Sequence, residues 1–98
     1  MMVTRQSLSR QREAILQIAR RHGAYDVRLF GSVARGDNTE ASDVDVLVRF
    51  EPGRSLFDHG GLIADLENFL RVKVDVVSEG GMRERFRKHV LPPVDIVN

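Results

Sequence analysis

The amino-acid sequence predicts an α/β fold, a small β-sheet of about three strands with helices packed on it. Three short runs rich in valine, leucine and phenylalanine alternate with longer segments in which apolar residues recur at helical spacing. Helical connections between strands favour this kind of packing. Glycine or proline closes most of the segments, and the 98 residues fit one domain that spans residues 1–98.

The predicted elements follow one another in the order α-β-α-β-α-β-α. They are a helix from near Ser7 or Ser9 to about His22, a strand at 27–30, a helical turn after Ser32, a strand at 44–50, a helix from about Ser55 to Leu70, a strand at 72–77 and a helix from Met82 to about His89. The apolar face of the helix near Ser55 is expected to comprise Leu56, Leu62, Ile63, Leu66, Phe69 and Leu70. Gly60-Gly61 should weaken the first half of that helix, and Pro92-Pro93 should prevent the last helix from continuing.

Acidic residues of two predicted strands fall on the same face of the sheet, because side chains along a strand alternate between faces. The core face of the strand at 44–50 is predicted to be Val44, Val46, Val48 and Phe50. Its opposite face carries Asp43 and Asp45 together with Leu47 and Arg49. In the strand at 72–77, Asp75 lies with Lys73 and Val77 opposite a valine face. The two strands can therefore present three aspartates side by side.

Asp43, Asp45 and Asp75 form a set of carboxylates that suits a hard cation. Carboxylates on one strand face can converge on one ion, or on two ions about 3.5–4 Å apart, as two-metal phosphoryl-transfer sites require. Magnesium takes oxygen ligands and is completed by water and substrate phosphates. No cysteine is present and no histidine falls in register, so zinc is disfavoured. A lone Asp-x-Asp is usually an ordinary loop or strand-end feature, and the three aspartates carry weight only together.

Gly31 and Ser32 lie between a predicted strand and a helical turn, where a phosphate could bind. Glycine lets the backbone approach a ligand closely, and the amides of the following turn can donate to an anion. The Ser32 hydroxyl adds a donor, and Arg35 either contributes a charged donor or is a surface residue. A phosphate cradle beside a carboxylate-metal cluster is a site for a nucleoside triphosphate.

Charge is distributed unevenly along the chain. Residues 1–36 carry seven basic and two acidic groups, whereas residues 37–79 carry four basic and ten acidic groups. Such blocks are explained equally well by solvated faces or by a cation site. No apolar stretch has the length of a membrane span and no signal-peptide core is present, so a cytoplasmic protein without membrane contact is expected. His22, His59 and His89 are expected in structural or surface roles.

The motif that runs from Gly31-Ser32 through Asp43-Val44-Asp45 to Asp75 within VKVDVV resembles the signature of the DNA polymerase beta-like nucleotidyltransferase superfamily. The chain is more closely similar to its minimal nucleotidyltransferase (MNT) family, across RRHGAYDVRLFGSVARGD, SDVDVLVRFEPGRSLFD and VKVDVVSEGGM. This resemblance implies a mixed sheet, Asp43 and Asp45 as ligands of the magnesium ions, Asp75 as the third carboxylate, and Gly31 and Ser32 on the triphosphate.

The resemblance also implies a function. Members of the family are usually antitoxins encoded beside a small helical HEPN protein, and several transfer AMP from ATP to a tyrosine of that toxin. The alternative is a non-catalytic antitoxin or nucleotide-binding module that neutralises its partner by occlusion. Transfer to RNA or to a small antibiotic is disfavoured, because no second domain is present to hold that acceptor. A partner protein, or a second copy of the chain, would have to supply the acceptor. Pro92-Pro93 departs from the usual family pattern.

Overall fold

The computed structural model of the chain describes residues 3–78 and the backbone of a short strand at 94–95. Its helices are α1 (Arg5–Arg10), α2 (Arg12–Arg21), α3 (Gly31–Arg35) and α4 (Leu56–Leu70). Its strands are β1 (Ala24–Phe30), β2 (Val44–Phe50), β3 (Val74–Ser78) and β4 (Val94–Asp95). The predicted last helix, His89 and Pro92-Pro93 lie outside the described residues. No helix in the described part of the chain is long and apolar enough to cross a membrane.

The four described strands form a mixed sheet in the order β3-β2-β1-β4. Strand β1 is antiparallel to both β2 and β4, whereas β2 and β3 are parallel. A parallel pair needs a crossover connection, and α4 supplies it. The predicted α/β fold and its mixed sheet are confirmed, and the short strand β4 is an addition that the sequence did not predict.

Strand β1 is longer than predicted because it contains a bulge. It starts at Ala24, and its pairing with β2 shifts register between Tyr25 and Arg28. Asp26, within the bulge, has φ 54° and accepts a hydrogen bond from Arg28 at 2.8 Å. An extra residue interrupts the alternation of side chains, so periodicity alone reveals only the regular second half of the strand.

The N-terminal helical segment is two helices rather than the one that was predicted. Thr4, not Ser7 or Ser9, caps α1: its hydroxyl accepts from the Ser7 amide at 3.0 Å, and Ser7 Oγ accepts from the Thr4 amide at 2.9 Å. This reciprocal pair satisfies two amides that the first turn leaves without partners. The helical conformation is interrupted at Gln11, which has φ −99° and ψ 11°, before α2 begins.

The predicted core face of β2 is confirmed, because Val44, Val46 and Val48 are buried on the helix-covered side of the sheet. The buried side chains of this core are Leu8, Ile15, Ile18, Ala19, Ala24, Val27, Leu29, Val33, Val44, Val46, Val48, Leu62, Leu66, Val74 and Val76. On the other side of the sheet, Leu47 and Val77 form a smaller buried cluster with Phe30. The sheet therefore has a helix-covered apolar face and an opposite face of mixed polarity.

Helix α4 begins one residue after its cap, close to the predicted start, and runs without a break through Gly60-Gly61. Its N-cap Ser55 forms a reciprocal capping pair with Asp58. The helix buries Leu62 and Leu66, but Leu56 is 86% exposed and Phe69 is 38% exposed, so their predicted places on the buried apolar face are wrong. Leu56 lies in the first turn, whereas the buried residues of the helix lie in its later turns. Strand β3 starts two residues later than predicted, at Val74.

Candidate active site

Two of the predicted site residues, Asp45 and Asp75, lie directly beside each other in the sheet. The parallel pairing of β2 and β3 makes them Cα partners, with Val44 opposite Val74 and Val46 opposite Val76. Paired strands lie about 4.8 Å apart, so the two carboxylates project as neighbours. Since the flanking valines are in the helix-covered core, both aspartates belong to the opposite face of the sheet.

Gly31 lies against the carboxylate of Asp45. The pairing of β1 with β2 places Phe30 opposite Asp45, so the next residue begins α3 at the same point. A Cβ on Gly31 would lie 3.1 Å from Asp45 Cγ and would collide with Asp45 Oδ2. The backbone of Gly31 also has φ 71°, a conformation that residues with a Cβ adopt at a cost. Both facts favour glycine at this position.

The start of α3 therefore lies beside the Asp45 carboxylate. The N-cap residue Phe30 has no side chain that hydrogen-bonds the first-turn amides. At the other end of the helix, the main-chain oxygen of Ser32 accepts from the Gly36 and Asp37 amides at 2.9 and 3.1 Å, and these hydrogen bonds end the short helix. Ser32, which is half-buried, lies in the first turn. This arrangement brings amide donors and a hydroxyl close to an acidic pair, as a metal-bound phosphate requires.

Arg35 and Asp43 are exposed, whereas the other predicted site residues are half-buried. Arg35 lies at the end of α3, and its Nε is 3.1 Å from Asp37 Oδ2 in a surface ion pair. Asp43 is exposed and precedes β2 by one residue. The loop before it is ordered by the amide of Thr39, which donates to Ser42 Oγ at 2.9 Å. The structure thus brings Gly31, Asp45 and Asp75 together, with Arg35 engaged by a neighbouring carboxylate.

The carboxylates of the site suit magnesium, although they do not form a metal-binding cluster in advance. Across residues 3–78, no group of three or more His, Asp or Glu side chains is placed to hold a metal ion. Magnesium, however, is commonly held by one or two carboxylates while substrate phosphates and water complete its octahedral shell. Asp45 and its neighbour Asp75 provide such carboxylates, and the exposed Asp43 stands at the entrance to β2. The residues present therefore suit a magnesium ion that arrives with a nucleotide.

His22 and His59 have structural contacts, as the sequence suggested, but their partners were not predictable. His22 Nε2 lies 2.7 Å from Asp65 Oδ2 and ties the end of α2 to α4. His59 Nε2 lies 2.6 Å from the main-chain oxygen of Val76 on β3. These pairs are 43 and 17 residues apart in the sequence, and no local pattern signals them.

Comparisons with known proteins agree with the motif and the fold. The family model described as "Nucleotidyltransferase domain" matches residues 8–97. Protein adenylyltransferase MntA of Thermococcus cleftensis is 37% identical over 78 residues, which cover 80% of this chain and 79% of that protein. A candidate protein adenylyltransferase of Methanocaldococcus jannaschii is 36% identical over 77 residues, which cover 79% of this chain and 83% of that protein.

Two solved structures have the same fold. A candidate minimal nucleotidyltransferase superposes with a TM-score of 0.75 and 48% identity, covering 92% of this chain and 96% of that chain. A candidate nucleotidyltransferase from Sulfolobus solfataricus, at 24% identity and a TM-score of 0.51, covers 89% of this chain and 88% of its own. The chain therefore belongs to the nucleotidyltransferase domain family of enzymes, and its predicted relation to the minimal nucleotidyltransferases is confirmed.

Proposed function

We propose that this chain is a magnesium-dependent protein adenylyltransferase, which transfers AMP from ATP to a tyrosine hydroxyl of a partner HEPN toxin and so acts as its antitoxin. The observation that carries the proposal is the pairing of Asp45 with Asp75 directly beside Gly31. A relative 37% identical to this chain is named a protein adenylyltransferase, which supports a protein as the acceptor. The antitoxin role and the HEPN partner rest on the resemblance of the motifs to the MNT family.

Three carboxylates of this chain are proposed to hold the magnesium ions that the reaction needs. Asp43, Asp45 and Asp75 are the proposed ligands of one or two magnesium ions, whose charge stabilises the negative charge on the transferring phosphoryl group. Asp75 lies on the sheet face opposite the helix-covered core, where an acceptor from outside could approach. Its carboxylate is the proposed group that orients the attacking hydroxyl and takes its proton.

Residues at the start of α3 hold the nucleotide. The first-turn amides and the Ser32 hydroxyl donate to phosphate oxygens of ATP, and Arg35 can join them if it exchanges its partner Asp37 for phosphate. The acceptor oxygen then bonds to the α-phosphorus as the bond to pyrophosphate breaks, and the hydroxyl proton passes to Asp75. Gly31 keeps the Asp45 carboxylate and the phosphate cradle in contact, because a larger residue would separate them.

The binding of nucleotide and metal is tested by isothermal calorimetry with magnesium and a non-hydrolysable ATP analogue. Asp45→Asn should weaken the binding of the magnesium-nucleotide complex without unfolding the protein, since it removes one unit of charge and conserves shape. Glu40→Gln, an exposed change in the loop before β2, is the matched control and should bind as the wild type does. An unchanged affinity in the double variant Asp43→Asn/Asp45→Asn would refute the metal assignment.

Transfer is tested by incubating the chain with the product of its neighbouring gene, ATP and magnesium, followed by intact-mass spectrometry. Added AMP mass on the partner is the expected result. The chain alone should be a poor enzyme towards free nucleosides or antibiotics, because the partner must position the acceptor, and positioning can supply about 7–11 kcal/mol of the barrier. Rapid modification of such small acceptors without the partner would contradict the proposal.

Asp75→Asn separates catalysis from occlusion. The variant should still co-purify with the partner, because the core face of β3 is untouched, yet it should add no AMP and should not restore growth. Loss of a general base alone costs about 10²–10⁴ in rate. If Asp75→Asn protects cells as well as the wild type while no adduct forms, the chain neutralises its partner by binding.

A further inference from the structure

Asp75 lies on a strand that the sheet supports from one side. Strand β3 has β2 as its partner in the described sheet, at the end of the order β3-β2-β1-β4. A slip of one residue would turn Asp75 to the opposite face and would expose the buried side chains of Val74 and Val76, so the core holds the register of this strand. The outer edge of β3 has no strand partner in the described sheet, so contacts from outside the sheet can set the exact position of the peptide groups around Asp75.

Helix α4 contacts the outer edge of β3 on one side of Asp75 through Glu67. The carboxylate oxygen Glu67 Oε2 accepts a hydrogen bond from the Val74 amide at 3.0 Å. The bond is charge-assisted, and Glu67 is partly buried, so water competes with it less than at an open surface. It fixes the peptide group between Lys73 and Val74, on the N-terminal side of Asp75 in the strand.

The same helix contacts β3 on the other side of Asp75 through His59. Because the Val76 carbonyl oxygen can only accept, His59 Nε2 must donate the proton of the 2.6 Å hydrogen bond between them. The His59 ring also packs against Phe50, with ring centroids 5.6 Å apart, which limits its rotation. The later residue of α4, Glu67, meets the earlier residue of β3, so the helix and the strand run antiparallel.

We propose that His59 and Glu67 are positioning residues, which hold the peptide groups on both sides of Asp75 and so keep its carboxylate beside that of Asp45. This inference rests on the proposed function, in which Asp75 is a metal ligand. Neither residue touches the reacting atoms. Their two hydrogen bonds determine where the third carboxylate stands, so their loss should weaken the response of the site to magnesium.

The test compares variants that keep a hydrogen-bonding group with variants that remove it. His59→Phe keeps a ring against Phe50 but loses the donor, whereas His59→Gln keeps an N–H donor and loses the ring. Glu67→Gln keeps an acceptor for the Val74 amide, and Glu67→Leu removes it. Asn68→Ala, an exposed change on the same helix, is the matched control.

The first measurement, made by calorimetry, is the magnesium concentration at which binding of the non-hydrolysable ATP analogue is half-saturated. The second is the thermal unfolding of each variant without ligand. His59→Phe and Glu67→Leu should raise this concentration about tenfold, as loss of a supporting contact does at other metal sites. His59→Gln, Glu67→Gln and Asn68→Ala should stay close to the wild type. Hydrogen exchange at the Val74 amide should be faster in Glu67→Leu, which shows directly that the bond has been lost.

The remaining outcomes separate a positioning role of His59 and Glu67 from a purely structural one. In an Asp75→Asn background, His59→Phe should cause no further change in the magnesium response, because the residue that it positions is gone. If His59→Phe and Glu67→Leu lower the unfolding temperature but leave the magnesium response unchanged, the two hydrogen bonds from α4 to β3 are structural only and the inference is overturned. Equal impairment of His59→Gln and His59→Phe would overturn it as well. If Asp75→Asn itself has no effect, the proposed metal assignment fails instead.

Discussion

Replacement of Gly31 by alanine tests whether the contact between the start of α3 and Asp45 is functional. The variant introduces two separate costs. The first is backbone strain, since φ is 71° and a residue with a Cβ pays about 1–2 kcal/mol in the left-handed region. The second is displacement of the Asp45 carboxylate, which the new Cβ would meet, at about 0.5–1.5 kcal/mol for a side chain forced off its rotamer.

Gly53→Ala is the matched control, because it isolates the first cost. Gly53 has φ 87°, and a Cβ there would meet nothing within 4 Å in the described part of the chain. It lies in the turn after β2, at the opposite end of the strand from Asp45. Gly53→Ala should lower the unfolding temperature by about 4–8 °C per kcal/mol of strain and leave catalysis unchanged.

Gly31→Ala should lose more stability than Gly53→Ala and should also lose activity. A displacement of a catalytic group by about 1 Å can cost about 10²-fold, which sets the expected fall in kcat/KM for AMP transfer to the partner protein. The assays are thermal unfolding of both variants and initial rates from intact mass. The reasoning is refuted if Gly31→Ala matches Gly53→Ala in stability and keeps the wild-type kcat/KM.

Three further predictions concern the stability of the scaffold. Gly60→Ala should stabilise the protein by about 1 kcal/mol through helix propensity, because a Cβ there meets nothing described within 4 Å. Gly61→Ala should lose that gain, since its Cβ would lie 2.8 Å from the imidazole at the end of α2. Leu62→Ala, at a position with 0% exposure, should cost about 2–5 kcal/mol in urea unfolding. The pKa of Asp58 lies below its ordinary value of 3.8, chiefly because the carboxylate accepts from the Ser55 amide. Asp58→Asn should therefore lower the unfolding temperature by a constant amount above about pH 5, and by less as the pH falls below about 4.

Opposite outcomes would contradict each of these three predictions. Equal stabilisation by Gly60→Ala and Gly61→Ala would show that the imidazole moves aside at no cost. A loss below about 1 kcal/mol for Leu62→Ala would show that the core collapses onto the space left by the side chain. If the effect of Asp58→Asn grows below pH 4, the sign is wrong, since a lowered pKa stabilises the fold only while the carboxylate is ionised.

The sequence alone determined which residues share a face. Alternation in the strand at 44–50 predicted both the buried valines and the exposure of Asp45 to the other side, and the structure agrees. Ser55 and the residues after it predicted the start of α4 to within one residue. These features are local, because the period of a strand or helix and the chemistry of a cap depend on a few consecutive residues.

Only the tertiary structure decided how those faces meet. The break at Gln11 and the bulge at Asp26 interrupt the regular periods, and Leu56 is exposed although it continues the apolar pattern of α4. The contact of Gly31 with Asp45 joins residues 14 positions apart and exists only in the observed pairing of β1 with β2. His59 and Glu67 reach β3 only because α4 lies antiparallel to it along its outer edge. Register and packing between distant segments determine these contacts, and a local pattern of residue types does not by itself specify which residues of two distant segments meet.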